Sequence, residues 1–164
     1  MEVMKGNPAT MAEIEALYRA RSHVFLYSVT AFLRDGDAAL DVVQEGFSFA
    51  LRRRGSFRGE ASLETWVWRI VLNAARDRQR SLGRPPVPEA SGQLDEEATE
   101  PVDDLRASLL LLPERQRLAV FLRYYADMSY GQIAEALGVR PGTVAASLHA
   151  AHAALRQEIE EVAG

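Results

Sequence analysis

Thr65, Arg69, Asn73, Arg76 and Arg80 stand at i, i+4, i+8, i+11 and i+15. If the segment is helical, that spacing places them in one stripe about 80° wide. Arginine suits phosphate contacts through its forked guanidinium, and asparagine sets a paired donor and acceptor against a base edge. No acid occupies these five positions, whereas a solvated face ordinarily mixes signs. The chemistry this pattern points to is nucleic-acid binding. Just upstream, Gly55-Ser56-Phe57-Arg58-Gly59-Glu60-Ala61 offers an aromatic ring, a cation and two glycines. Single-stranded readout relies on stacking surfaces and cations, so this loop suits an unstacked base. The plainer reading is an interhelical connection whose Phe57 plugs the core.

Other chemistries are thin. There is no cysteine, which excludes disulfides, cysteine-ligated zinc, iron–sulfur clusters and a thiol nucleophile. His149 and His152 are spaced i, i+3, yet no carboxylate stands between them or one turn away, so they read as surface rather than as metal ligands. No Gly-rich phosphate loop precedes a helix, and the acids are scattered. The expectation is a protein that is no enzyme and carries no metal or cofactor.

The charge distribution supports the polyanion reading. The net charge is −4, but residues 1–84 carry +3, residues 85–102 carry −5 and residues 103–164 carry −2. From Arg52 to Arg84 nine arginines face three acids, a concentrated basic stretch inside an acidic protein. No apolar run approaches the roughly 18 residues that span a bilayer. Met1 to Thr10 lacks the apolar stretch of a signal peptide, so a cytoplasmic location without membrane insertion is expected.

The elements that must position these residues are helices, since no stretch shows strand alternation. Periodicity predicts helices over Met11–Leu33, from the turn Asp35-Gly36-Asp37 (with Asp37 as cap) to Arg54, and from Ser62 to Ser81. In the last of these, Leu63, Trp66, Val67, Ile70, Val71 and Ala74 form the apolar stripe. Pro85-Pro86-Val87-Pro88 and the acidic residues to Pro101 read as a flexible linker, because such a segment buries too little apolar surface to offset its ordering entropy. Beyond it the pattern gives helices over Asp103–Leu112 and Pro113–Tyr125, then a capping box at Ser129 and Gln132 that opens a short helix ending at Gly138. Pro141 opens a last helix to Val162. The fold class is all-α: two small helical domains, 1–84 and 103–164, joined by the flexible acidic Pro-rich linker 85–102, the second holding a helix-turn-helix.

That helix-turn-helix disagrees with its own surface. Val144, Leu148, Ala151, Leu155 and Ile159 supply the inward face. The outward face is mostly alanine, with Ser147, His149 and His152, and no cation until Arg156. Major-groove reading usually needs both donors for bases and cations for phosphates.

Three motifs carry a family resemblance. Asp41-Val42-Val43-Gln44-Glu45-Gly46-Phe47 resembles region 2.2 of the extracytoplasmic-function (ECF) group of bacterial sigma-70 factors. The run from Phe57 to Ile70, with Asn73, Asp77 and Arg80 at the family spacing, is similar to regions 2.3 and 2.4. Leu112-Pro113-Glu114-Arg115-Gln116-Arg117 and Ser129 to Val144 are similar to region 4. The resemblance implies a dissociable promoter-specificity subunit of RNA polymerase. Asp41, Gln44, Glu45 and Phe47 would dock on the β′ clamp helices. Phe57, Arg58, Glu60, Arg69, Asn73, Arg76, Asp77 and Arg80 would melt and read the −10 element. The second unit would sit on the β flap and reach −35 DNA through Arg140, Thr143 and Arg156. Core polymerase, promoter DNA and, where one exists, an anti-sigma factor are the implied partners. Two alternatives stay open: a sigma-like interaction protein that selects no promoter, and a helix-turn-helix repressor with a helical N-terminal domain.

Overall fold

The computed structural model describes residues 6–83 and 107–164. The linker 85–102 and the start of the helix expected from Asp103 lie outside them. Among the described residues every regular element is helical. Helix α1 spans Met11–Leu33, α2 Gly36–Arg52 and α3 Leu63–Ser81, with a short 3₁₀ turn at Arg54–Ser56. Residues 107–111 are helical. Helix α4 spans Glu114–Val120 and runs into a π turn at Phe121–Tyr125, followed by α5 at Tyr130–Leu137 and α6 at Pro141–Ala163.

The ends follow local chemistry. Thr10 caps α1 in a reciprocal box with Glu13, as Ser129 caps α5 with Gln132, so two otherwise orphaned N–H groups are satisfied at each start. The cap of α2 is Asp35, whose carboxylate accepts from the Ala38 N–H at 3.1 Å. Asp37, the residue expected from the turn, lies inside the first turn instead, where a carboxylate still favours the helix dipole.

Helices α1, α2 and α3 pack into a bundle around Phe25, Val29, Val42, Val43, Phe47, Val67, Trp68, Val71 and Leu72, all buried. Phe25 stacks on Trp68 with centroids 3.8 Å apart and planes 13° from parallel. Where α2 crosses α3, a Cβ on Gly46 would lie 2.6 Å from Val71 Cγ2, so the crossing requires glycine there. The second unit closes around Leu118, Leu122, Ile133, Ala134, Leu137, Val144, Leu148 and Ala151. Its helix-turn-helix turns at Gly138, in the left-handed conformation at φ 67°. Leu155 is only partly buried and Ile159 is exposed, so the inward face of α6 ends about two turns before the helix does.

The two units also pack on each other. Tyr27 of α1 lies against Phe121 and Tyr125, at 5.8 and 4.9 Å between ring centroids. Arg21 donates to the Ala126 carbonyl at 2.7 Å and to Glu64 at 3.0 Å. Gln79 donates to Glu114 at 3.0 Å. Arg34 and Arg117 both donate to the Leu110 carbonyl, at 2.5 and 3.2 Å, and Arg117 reaches the Leu112 carbonyl at 3.0 Å. Arg117 is buried. Desolvation, with Arg34 nearby, lowers its pKa to about 10 while Glu114 pulls it back up, so it remains charged at neutral pH.

Candidate functional site

Helix α3 starts at Ser62, whose Oγ accepts from the Thr65 N–H at 3.1 Å and donates to Thr65 Oγ1 at 2.8 Å. That bond, and burial to 2% exposure, take Thr65 off the outward face. The buried residues of α3 are Thr65, Val67, Trp68, Val71, Leu72, Ala75 and Gln79. Trp66, Ile70 and Ala74 are half-buried. The core face is therefore wider than the stripe that periodicity suggests: Val67 and Val71 are in it, Leu63, Trp66, Ile70 and Ala74 pack against it half-buried, and Trp68, Leu72 and Ala75 extend it to one side. Helix α5 of the second unit packs along one edge of α3, which is why that edge, polar in sequence, is covered.

This splits the arginine stripe. Arg69, Asn73, Asp77 and Arg80 are exposed. Arg76 is half-buried and donates to the Leu137 carbonyl at 3.4 Å, so it faces the second unit. Nor is the surface free of acid, because Asp77 is ion-paired with Arg80. The Arg69 and Asn73 side chains are exposed and make no hydrogen bond or ion pair with other described residues. Beside them, Phe57 is half-buried and packs on Trp66 at 5.4 Å, while Arg58 and Glu60 are exposed. Phe57 thus closes the loop onto α3 and stays partly accessible.

On α2, Asp41, Gln44 and Glu45 share an outward face. Phe47 does not belong to it. It is 4% exposed and makes edge-on contacts with Tyr18 and Phe25 at 5.1 and 5.0 Å, so it supports that face from beneath and is no part of it. The aromatic that does extend this face is Phe49, exposed and flanked by the guanidinium groups of Arg52 and Arg53 at 6.0 and 5.5 Å. Its position four residues after Glu45 was the available signal. A groove of ≈ 520 Å³ lined by Tyr18, Arg19, Gln44 and Ser48 runs between α1 and α2.

In the second unit Arg140 and Arg156 are exposed and Thr143 is half-buried. The two arginines lie sixteen positions apart, or roughly 24 Å along the helix, with alanines between them. His152 does not pair with His149. Its Nε2 is 2.8 Å from the Tyr124 hydroxyl. Arg123 lies over the rings of Tyr124 and Tyr130 at 6.0 and 5.7 Å, an aromatic and cationic cluster beside α6 that helical periodicity alone did not reveal.

These surfaces belong to segments with known counterparts. The family model for sigma-70 region 2 matches residues 17–84, and that for sigma-70 region 4 matches residues 103–155. The RNA polymerase sigma-H factor of Pseudomonas aeruginosa is 30% identical over 157 residues, covering 84% of this chain and 81% of that protein. The chain belongs to the ECF group of sigma-70 factors. The ECF sigma factor SigW of Bacillus subtilis is 26% identical, covering 98% of this chain and 95% of its own. The ECF sigma-E factor of Escherichia coli is 29% identical, covering 96% and 91%. ECF sigma factors direct promoter recognition and transcription initiation, and nothing among these relatives favours the interaction-protein alternative. The fold agrees with that of the sigma factor RpoE, solved with the anti-sigma factor NepR from Bartonella quintana, at a TM-score of 0.73 and 20% identity over 92% of this chain and 98% of that one. CnrH, solved with the cytosolic domain of CnrY, matches at 0.69 and 20% over 93% and 91%. Among the described residues, no helix of this ECF sigma factor is long and apolar enough to cross a membrane.

Proposed function

We propose that residues 1–84 form the unit that docks on core polymerase and reads the −10 element, that 85–102 link it to the rest, and that 103–164 form a weaker DNA-contacting unit on the β flap. The observation that carries this reading is the side-by-side exposure of Arg69, Asn73 and the Phe57–Glu60 loop, with the Arg69 and Asn73 side chains unengaged within the described residues. Arg69 and Arg80 contact phosphates, Asn73 contacts a base edge, and Phe57, Arg58 and Glu60 hold a flipped base of the non-template strand. Arg76 and Asp77 act through what they hold: Arg76 at the joint with α5, Asp77 by orienting Arg80. Asp41, Gln44 and Glu45 meet a basic surface on the β′ clamp helices, with Phe49 as an apolar anchor.

Arg140, Thr143 and Arg156 give the second unit a limited grip on −35 DNA. The work is done in the cytoplasm, and the chain contributes no bond-making chemistry of its own. An anti-sigma protein that covers these faces would hold the factor inactive. Run-off transcription with purified core enzyme tests the reading. Asn73→Ala should lower initiation and relax base preference at the upstream edge of the −10 element, and unchanged rate and preference would contradict it.

A further inference from the structure

The segment ahead of α1 crosses the loop ahead of α3. The Ala9 N–H donates to the Arg54 carbonyl at 3.2 Å, and Ala9 is 5% exposed. Gly6 lies so close to the Arg58–Gly59 peptide that a Cβ on it would sit 2.1 Å from the Arg58 carbonyl oxygen and 3.3 Å from Gly59 Cα. A backbone oxygen cannot swing aside as the end of a long side chain can. Gly59 faces Gly6 from the loop side in the left-handed conformation, at φ 72°, so both strands of this crossing are glycine where they meet.

The segment is anchored at its other end. Thr10 donates its N–H to Glu13 Oε2 at 2.8 Å and accepts from the Glu13 N–H at 3.2 Å, which ties it to the first turn of α1. The loop has little else to hold it beyond Phe57. Ser56 and Phe57 bond back to Arg53 and Arg54, but no hydrogen bond or ion pair with a described residue ties down Arg58, Gly59 or Glu60.

We infer that residues 6–9 are a positioning strap: docked across the loop from Arg54 to Gly59, they fix how Phe57, Arg58 and Glu60 are presented, so that Gly6 and Ala9 set base selectivity without touching DNA. The inference rests on the base-reading role of the loop proposed above. Restraining a loop before it binds lowers the ordering cost of each contact it makes, so a loose loop discriminates less.

The test compares Gly6→Val and a deletion of residues 2–8 with Gly36→Ala, at the start of α2 and away from the loop, where a Cβ meets nothing within 4 Å. Amide hydrogen exchange reads the loop itself. Run-off transcription by holoenzyme, on duplex promoters carrying each base in turn at every −10 position, reads selectivity. Both strap variants should speed exchange across Arg54–Ala61 and lower discrimination at one promoter position by about tenfold, one base contact's worth. Core affinity and melting temperature should stay those of the wild type, and Gly36→Ala should change nothing. Unchanged loop exchange in both strap variants overturns the inference, as does faster exchange with intact selectivity. Phe57→Ala and Arg58→Ala, run in parallel, separate the two levels. If they alter selectivity and the strap variants do not, the strap is wrong. If none of the four alters it, the base-reading role of the loop is what fails.

Discussion

Two residues six positions apart, Asp41 and Phe47, show how one motif divides between surface and core. Asp41 and Glu45 are exposed, so replacing both with alanine should leave the helix folded and weaken core binding. Truncating a charge at an interface rim costs little and truncating a buried partner costs about 2–5 kcal/mol. A titration against core polymerase should therefore show a loss of roughly tenfold or more, equivalent to about 1.4 kcal/mol, without a change in melting temperature. Phe47→Ala should do the reverse in origin: emptying a buried aromatic site costs about 3–5 kcal/mol of stability, visible in urea unfolding. Arg69 and Arg80 likewise separate. Each phosphate contact contributes about 0.7–0.9 to the slope of log affinity against log salt. Because Arg80 is already paired with Asp77, Arg80→Ala should flatten that slope less than Arg69→Ala, measured as promoter binding by holoenzyme at several salt concentrations. Equal slopes would mean that the Asp77 pair dissolves on binding.

At the level of elements, capping and turn chemistry made several helix boundaries legible: the box at Ser129, the start at Ser62 and the turn at Gly138 were read from local signals, whereas the cap of α2 was expected at Asp37 instead of Asp35 and the box of Thr10 with Glu13 was not read. The full width of the buried face of α3 was not legible, because its polar edge at Thr65, Arg76 and Gln79 is covered by a capping hydroxyl and by the second unit, which helical periodicity cannot register. The same joint hid Arg76's partner, a carbonyl 61 positions away. Phe47 was misplaced because an aromatic inside a surface motif looks the same in sequence whether it points out or in. The joint itself is polar at its edges and aromatic at its centre, so Arg21→Ala with Tyr27→Ala should loosen it. The chain has no cysteine, so labels at Ser48→Cys and Ala153→Cys would report the separation of α2 and α6 by energy transfer. The double variant should shift the distribution to longer distances. An unchanged distribution would show that the hydrogen bonds from Arg34 and Gln79 suffice to hold the units together.

Across the whole molecule, cationic surface is distributed unequally. The first unit concentrates its arginines between Arg52 and Arg84, while the second carries a net charge of −2 and an α6 whose exposed positions from Ala145 to Ala154 hold no lysine or arginine. DNA affinity depends on displaced counterions, so promoter choice should rest on the first unit, with the second gaining a weak contact through the raised effective concentration of a tethered complex. Adding cations with Ala145→Arg and Ser147→Arg should strengthen −35 binding for the same reason. The decisive measurement is run-off transcription by the reconstituted holoenzyme on promoters in which the −10 and −35 elements are scrambled one at a time. Scrambling the −10 element should abolish initiation, while scrambling the −35 element should reduce it only partly. Silence on −35 scrambling, with the −10 element tolerating change, would contradict this and place promoter reading on α6.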